Sequence, residues 1–300
     1  MRTGEPARGL PLKETSVKKK SSILNSMLAA FASYSRIPVP GAEWDEQRIR
    51  WQICFFPMVG VVIGILWCAA GAVLTYIGTG PVLTGAVLTA LPIFLTGGIH
   101  MDGFLDTSDA IHSWKSEEER MRILDDPHMG AFAFIYGSLY LIMYFGLSVQ
   151  LAAALKAICS GNETFTVILR QMASVLVPAG SGFVISRVLS ALAVLIFPKS
   201  KKKGTLKKTA DTADSRNSTI LKLELTILLV VYITSAVLLR QPGIAAFPAS
   251  AVLFWYGYRQ MAVNRFGGIS GDLAGWFLVN CELIELAAAV IVLLIRGTAF

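Results

Sequence analysis

The chain is predicted to be all-α, a polytopic bundle of transmembrane helices with about seven crossings and additional re-entrant or amphipathic helices. Three observations predict this. Hydrophobic residues make up 54% of the 300 positions and charged residues only 16%, with a mean hydropathy of +0.59, whereas soluble domains are about one-quarter charged. Several apolar runs approach the roughly 20 residues needed to cross the hydrocarbon core. Most lysines and arginines gather beside those runs rather than within them, as expected of membrane-flanking segments.

Residues 1–20 form a polar, basic tail with no pattern of a cleavable signal. The run Ile23 to Ala32 is too short to span and reads as an amphipathic or partly inserted helix, stopped by Arg36-Ile37-Pro38-Val39-Pro40. Ile53 to Ile77 is a full span. Thr84 to Gly98 is shorter and contains Pro92, which predicts a broken or tilted helix. Ala131 to Leu155, Ile220 to Leu239, Ile244 to Val263 and Leu273 to Ile295 are further spans. Between Thr164 and Phe197 the apolar run is interrupted by Arg170, Gln171, Gly180, Gly182 and Arg187. Hydropathy allows one crossing with a re-entrant or kinked piece, or two crossings. Residues 21–300 thus read as a single integral-membrane domain, with an acidic segment at 97–130 and a basic loop at 199–219.

Basic-residue bias sets the orientation. Lys18, Lys19, Lys20, Arg36, Arg48 and Arg50 place the N-terminus in the cytoplasm, while the turn from Gly78 to Pro81 is uncharged. A hairpin of the first two spans brings the acidic segment back to the cytoplasm. The loop with Lys199, Lys201, Lys202, Lys203, Lys207 and Lys208 belongs there too, so a single net crossing is required between Leu155 and Lys199, favouring one span plus a non-crossing element. Arg265 to Asp272 then lies inside and the C-terminus outside.

The net charge of +7 comes with no base-reading or stacking module, so nucleic acid is not an expected partner. Basic residues at membrane boundaries suit the lipid bilayer and its anionic headgroups, and could also draw in phosphorylated substrates. Cys54, Cys68, Cys159 and Cys281 show no ligand or disulfide spacing. Self-association into a homo-oligomer is left open.

The chemistry concentrates in Gly97-Gly98-Ile99-His100-Met101-Asp102-Gly103-Phe104-Leu105-Asp106-Thr107-Ser108-Asp109. The stretch from Gly97 to Gly130 holds all three histidines and eight of the twenty acidic residues. Asp102, Asp106 and Asp109 share one helical face. Like charges so close repel, and a hard cation such as magnesium relieves that while bridging carboxylates to substrate phosphates. A helix cap with solvated acids is the plainer reading. Gly97, Gly98 and Gly103 let a ligand approach the backbone, or serve helix packing. His100 could accept a proton or contact phosphate, or be a polar contact at the membrane boundary. Asp126, before Pro127 and His128, could cap the next helix or reach the same cation. Glu117, Glu118 and Glu119 read as a solvated surface.

A second polar group is Asn264-Arg265-Phe266-Gly267-Gly268-Ile269-Ser270-Gly271-Asp272. Its glycines allow a tight loop, Arg265 could hold phosphate, and Asp272 could join a metal site or open a helix. Glu282 and Glu285 fall inside an apolar run, where an acid faces a bundle interior or a charged partner; Arg170 and Arg187 are candidate partners.

These motifs resemble the cobalamin synthase family, the membrane adenosylcobinamide-GDP ribazoletransferases. The resemblance rests on Phe31 to Pro38, Phe56-Pro57-Met58-Val59-Gly60, Gly97 to Asp109, Asp126 to Gly130 and Gly267 to Asp272, in consistent order. Departures occur at Ser33-Tyr34-Ser35, Ser108, Ala110, His128 (often arginine) and Ser270, but every main carboxylate is kept. The resemblance implies an enzyme of the cytoplasmic (inner) membrane of a prokaryote. Its donor is adenosylcobinamide-GDP, its acceptor alpha-ribazole or alpha-ribazole 5'-phosphate, and its by-product GMP, in cobamide (vitamin B12) biosynthesis.

On this reading Asp102, Asp106, Asp109 and His100 are catalytic, and Asp102, Asp106, Asp109 and Asp126 hold Mg2+. Gly97, Gly98, Gly103, His128, Arg265, Gly267, Gly268 and Asp272 bind substrate. The residues on their own reach only metal-assisted phosphate chemistry at a membrane face. The alternative is a transporter of ions or small metabolites, with Arg170 and Glu285 on its path.

Overall fold

A computed structural model describes residues 23–40, 51–160, 164–200, 215–238 and 242–295. The basic tail and most of the basic loop expected at 199–219 lie outside the described residues. The described chain forms α1 (Ile23–Tyr34), α2 (Phe56–Tyr76), α3 (Pro81–Thr96), α4 (Ile99–His112), α5 (Glu117–Ile123), α6 (Ala131–Cys159), α7 (Phe165–Ile196), α8 (Ser215–Leu238), α9 (Ala246–Phe266) and α10 (Gly271–Ile295). Short 3₁₀ turns precede α2 and α9. The all-α expectation holds.

Among the described residues, five helical stretches are long and apolar enough to cross a membrane: Ile53–Tyr76, Ala131–Cys159, Phe165–Ile196, Arg216–Leu238 and Gly271–Ile295. The pair α3 and α4, bent by 96°, makes a sixth if it is one broken span. Five to six such spans agree approximately with the expected number of about seven. The difference is α9, whose polar end carries Arg259, Gln260, Asn264 and Arg265. The region from 164 to 197 also resolves: α7 is one continuous helix of 32 residues with Pro178 inside it, and no re-entrant element interrupts it.

Helices form in lipid because each satisfies its own backbone groups; what brings them together is small-residue packing. Helices α2 and α7 cross where Gly60 and Gly64 meet the backbone oxygens of Phe183 and Gly180. Gly85 of α3 receives Val149 of α6 in the same way. Pro92 sits within α3 without breaking it. A proline cannot donate to the carbonyl four residues earlier, and the Leu88 oxygen so released accepts a 2.8 Å bond from Trp67 Nε1. Outward residues are apolar instead of polar, with Ile65, Phe94, Ile142 and Leu253 each more than 60% exposed, as a lipid-facing surface requires.

The break falls at Gly97 and Gly98, both with left-handed φ (65° and 77°). Their amides close the end of α3 on the Ile93 and Phe94 oxygens, and α4 departs nearly at right angles. Two consecutive left-handed residues strongly favour glycine.

Candidate functional site

The polar end of the bundle is assembled from α4, the α5 region, the start of α6, the segment Phe197 to Ser200 and the loop Arg265 to Asp272. Helix α4 has two unlike faces. His100, Gly103, Phe104, Thr107 and Ser108 are buried, Asp102 is exposed, and Asp106 and Asp109 are partly exposed. Residues two apart on a helix point to opposite sides, which is why His100 turns inward while Asp102 faces out.

Helix α10 presses against this helix through glycine. A Cβ on Gly103 would lie 2.8 Å from the Asp272 carbonyl oxygen, and one on Gly275 would lie 2.9 Å from the His100 carbonyl oxygen. The second polar loop thus meets the acidic helix at Gly103, between Asp102 and Asp106. Arg36 adds a group that sequence reasoning used only for orientation. Its amide donates to Leu95 O at 2.7 Å, and its exposed side chain lies along Gly97, where a Cβ would meet Arg36 Cγ at 2.5 Å. The signal available beforehand was its place in the motif ending at Pro38.

The loop from Gly267 is held from two sides. Ile269 N donates to Pro198 O at 2.9 Å and Ser200 N to Ile269 O at 3.1 Å, an isolated parallel bridge between Lys199 and Ile269. Gly268 faces the Pro198 and Lys199 backbone so closely that no side chain fits. On the other side Arg120 Nε donates to Arg265 O at 3.0 Å, and its guanidinium lies 5.7 Å from the Phe266 ring centroid. The loop contacts at Gly267 and Gly268 come from protein. Glu117 Oε1 would lie 2.8 Å from a Cβ on Gly267, and Glu119 completes a capping box with Ser116. The run of glutamates is therefore partly structural.

The four acids expected on one cation separate. Among the described residues, no three His, Cys, Asp or Glu side chains come together as a metal site. A shared face is not a shared point: seven residues at about 1.5 Å each put Asp109 roughly 10 Å along the axis from Asp102. Asp109 Oδ1 accepts from the amides of Phe132 (3.2 Å) and Ala133 (3.4 Å), so it caps α6. A Cβ on Gly130 would collide with that carboxylate, which accounts for the glycine. Asp126 Oδ1 instead accepts from His128 N at 2.9 Å and pairs with His128 Nδ1 at 2.7 Å. The His128 amide and ring together hold the Asp126 carboxyl below the usual carboxylate range. Asp102 is exposed on this face and Asp106, one turn on, is partly exposed. Their hard oxygens suit magnesium shared with substrate phosphates, which needs only one or two protein carboxylates, and not a cage built by protein alone.

His100 is 9% exposed, stands 5.7 Å from the Phe56 ring and leaves the acidic face to the aspartates. Deeper in the bundle Arg187 Nη1 donates to Glu282 Oε1 at 2.7 Å. Glu285, the more conspicuous acid in the sequence, accepts from Ser250 Oγ at 3.1 Å. Arg187 thus pairs with Glu282, one turn before Glu285.

The chain resembles known proteins along most of its length. A family described as Cobalamin-5-phosphate synthase matches residues 26–293. An adenosylcobinamide-GDP ribazoletransferase of Lachnoclostridium phytofermentans is 38% identical over 277 residues, 92% of this chain and 97% of the relative. Proteins of the same description from Clostridium botulinum (27% over 268 residues, 89% of this chain and 98% of the relative) and Desulfitobacterium hafniense (29% over 268 residues, 89% and 96%) are also similar. No solved structure matches.

Proposed function

Because the chain belongs to the cobalamin-5-phosphate synthase family, we propose how its own residues carry out that family's reaction. The protein is a membrane transferase of the final cobalamin synthase step, transferring adenosylcobinamide to ribazole. We assign the chemistry to the outer face of α4. The observation that carries this assignment is the exposure of Asp102, with Asp106 one turn on, at a helix whose other face is buried and pinned to the Asp272 backbone.

In this proposal Arg36 and Arg265 bind the phosphates of adenosylcobinamide-GDP, since guanidinium groups suit phosphate oxygens. The glycines at 97 and 98 leave the first turn of α4 open to the donor. The acceptor, alpha-ribazole or its 5'-phosphate, lies with its 5'-hydroxyl in line with the phosphorus. A carboxylate oxygen of the Asp102–Asp106 pair takes the hydroxyl proton as the new P–O bond forms and GMP departs. His128 and Asp126 border the site and Asp109 keeps α6 docked on α4. Magnesium, held by Asp102 and Asp106, would supply stabilisation of the negative charge at phosphorus and on the leaving phosphate. Basic-residue bias supports placing this end on the cytoplasmic side of a prokaryotic cytoplasmic membrane.

The test is reconstituted transfer with purified protein, adenosylcobinamide-GDP and each acceptor, with and without magnesium, reading GMP and joined product by mass. Folded Asp102→Asn and Asp106→Asn proteins are expected to lose at least about 100-fold in kcat, the order of effect of a transition-state electrostatic group. Near-native transfer by either variant rejects the assignment of that residue.

A further inference from the structure

A cavity of about 20 Å³ lies on the buried side of α4, lined by His100, Tyr140, Tyr144, Val279, Arg187 and Glu282 among others. One water needs about 10–15 Å³ of such space and two to four polar partners. Two lining residues each keep a buried nitrogen without a hydrogen-bond partner among the described residues, His100 Nε2 and Arg187 Nε. An orphaned buried polar atom carries a full desolvation penalty, and two on residues lining a space of this size point to a bridging molecule.

We propose that an ordered water fills this cavity and links His100 Nε2 to the Arg187–Glu282 pair, making Arg187 and Glu282 positioning residues for the first turn of α4. That turn follows two left-handed glycines, so α3 does not carry its rotation across the break, and its backbone rests on α10 at Gly103 and Gly275. His100 is the inward side chain of the turn, and Asp102 leaves its opposite face. Holding the imidazole therefore fixes, together with those α10 contacts, the direction of Asp102. The water itself does not depend on the proposed function; only the consequence for Asp102 rests on that reading.

Val279, a wall of the cavity, separates water from packing. Val279→Ile puts a methyl group into the space of the water, whereas Val279→Ala leaves room for it. In full-length detergent-solubilised protein, Val279→Ile is expected to speed amide hydrogen exchange over Ile99 to Asp102 about tenfold and to lower kcat about tenfold with donor KM unchanged. Val279→Ala is expected to stay within about twofold on both measures. Unchanged exchange in Val279→Ile, or equal impairment in Val279→Ala, overturns the proposal. Faster exchange with native kcat overturns the positioning role. A density map of the unsubstituted protein, independent of variant folding, should show a water within hydrogen-bond distance of His100 Nε2; a dry cavity overturns the proposal. Absence of transfer by the parent protein would reject the functional reading while the exchange and density measurements still decide the water.

Discussion

Gly103→Ala is a small substitution with a large expected effect. The added Cβ would sit 2.8 Å from the Asp272 carbonyl oxygen and 2.9 Å from its Cα, whereas optimal heavy-atom contacts lie at about 3.5–4.0 Å. The obstructing atoms are backbone, so α4 and α10 must part by about 0.7–1 Å. Overpacking of this kind costs about 1–3 kcal/mol. A displacement near 1 Å at a reacting centre can cost about 100-fold in rate, and this contact lies between Asp102 and Asp106. Gly146→Ala is the control: it lies within α6, no atom stands within 4 Å of its Cβ position, and alanine favours a helix over glycine by about 1 kcal/mol. Thermal unfolding in detergent and steady-state transfer should show Gly103→Ala less stable and impaired mainly in kcat, with Gly146→Ala at least as stable and fully active. Native stability and kcat in Gly103→Ala would refute the close crossing.

Asp109→Ala should lower stability by about 0.5–2 kcal/mol through loss of the α6 cap while Asp109→Asn retains most of it, as measured by denaturant unfolding; equal stability of the two variants would contradict the cap. Arg187→Met should destabilise by about 3–5 kcal/mol by stranding Glu282, whereas Arg187→Met/Glu282→Leu should recover most of the loss. A double variant as unstable as the single one would show that the charge pairing is not the source. Asp126 has a lowered folded pKa, so the stabilisation of its turn is present above the ordinary carboxylate range and is lost as pH falls through that lowered value. His128→Ala should raise the carboxyl pKa, read by carbon NMR of labelled aspartate, and an unchanged titration would deny the contribution of the ring.

Much of the architecture was legible because it depends on local rules. Hydropathy marks membrane helices since a helix closes its hydrogen bonds within its own segment, and α2, α6, α8 and α10 fall where apolar length predicts them. The helix break was harder to place. Pro92 was the apparent breaker, but Gly97 and Gly98 make the turn, because Trp67 satisfies the carbonyl that the proline releases. The continuity of α7 was hidden for a related reason. Arg187 looks like an interruption in an apolar run, and its pairing with Glu282 of α10 compensates its charge in the interior.

The sequence by itself determined the membrane-helical class, the family motifs and the concentration of carboxylates on one face of α4. Helical periodicity and transfer from water act over a few residues, so linear spacing is sufficient to read them. Tertiary structure decided where those acids sit: Asp109 is drawn to the amides of α6, Asp126 to His128, Asp102 is exposed at the outer face and Asp106 partly so. It likewise brought Arg36 to Gly97 and Asp272 to Gly103. Those meetings depend on close helix approach between segments far apart in the chain, which periodicity can permit but cannot select.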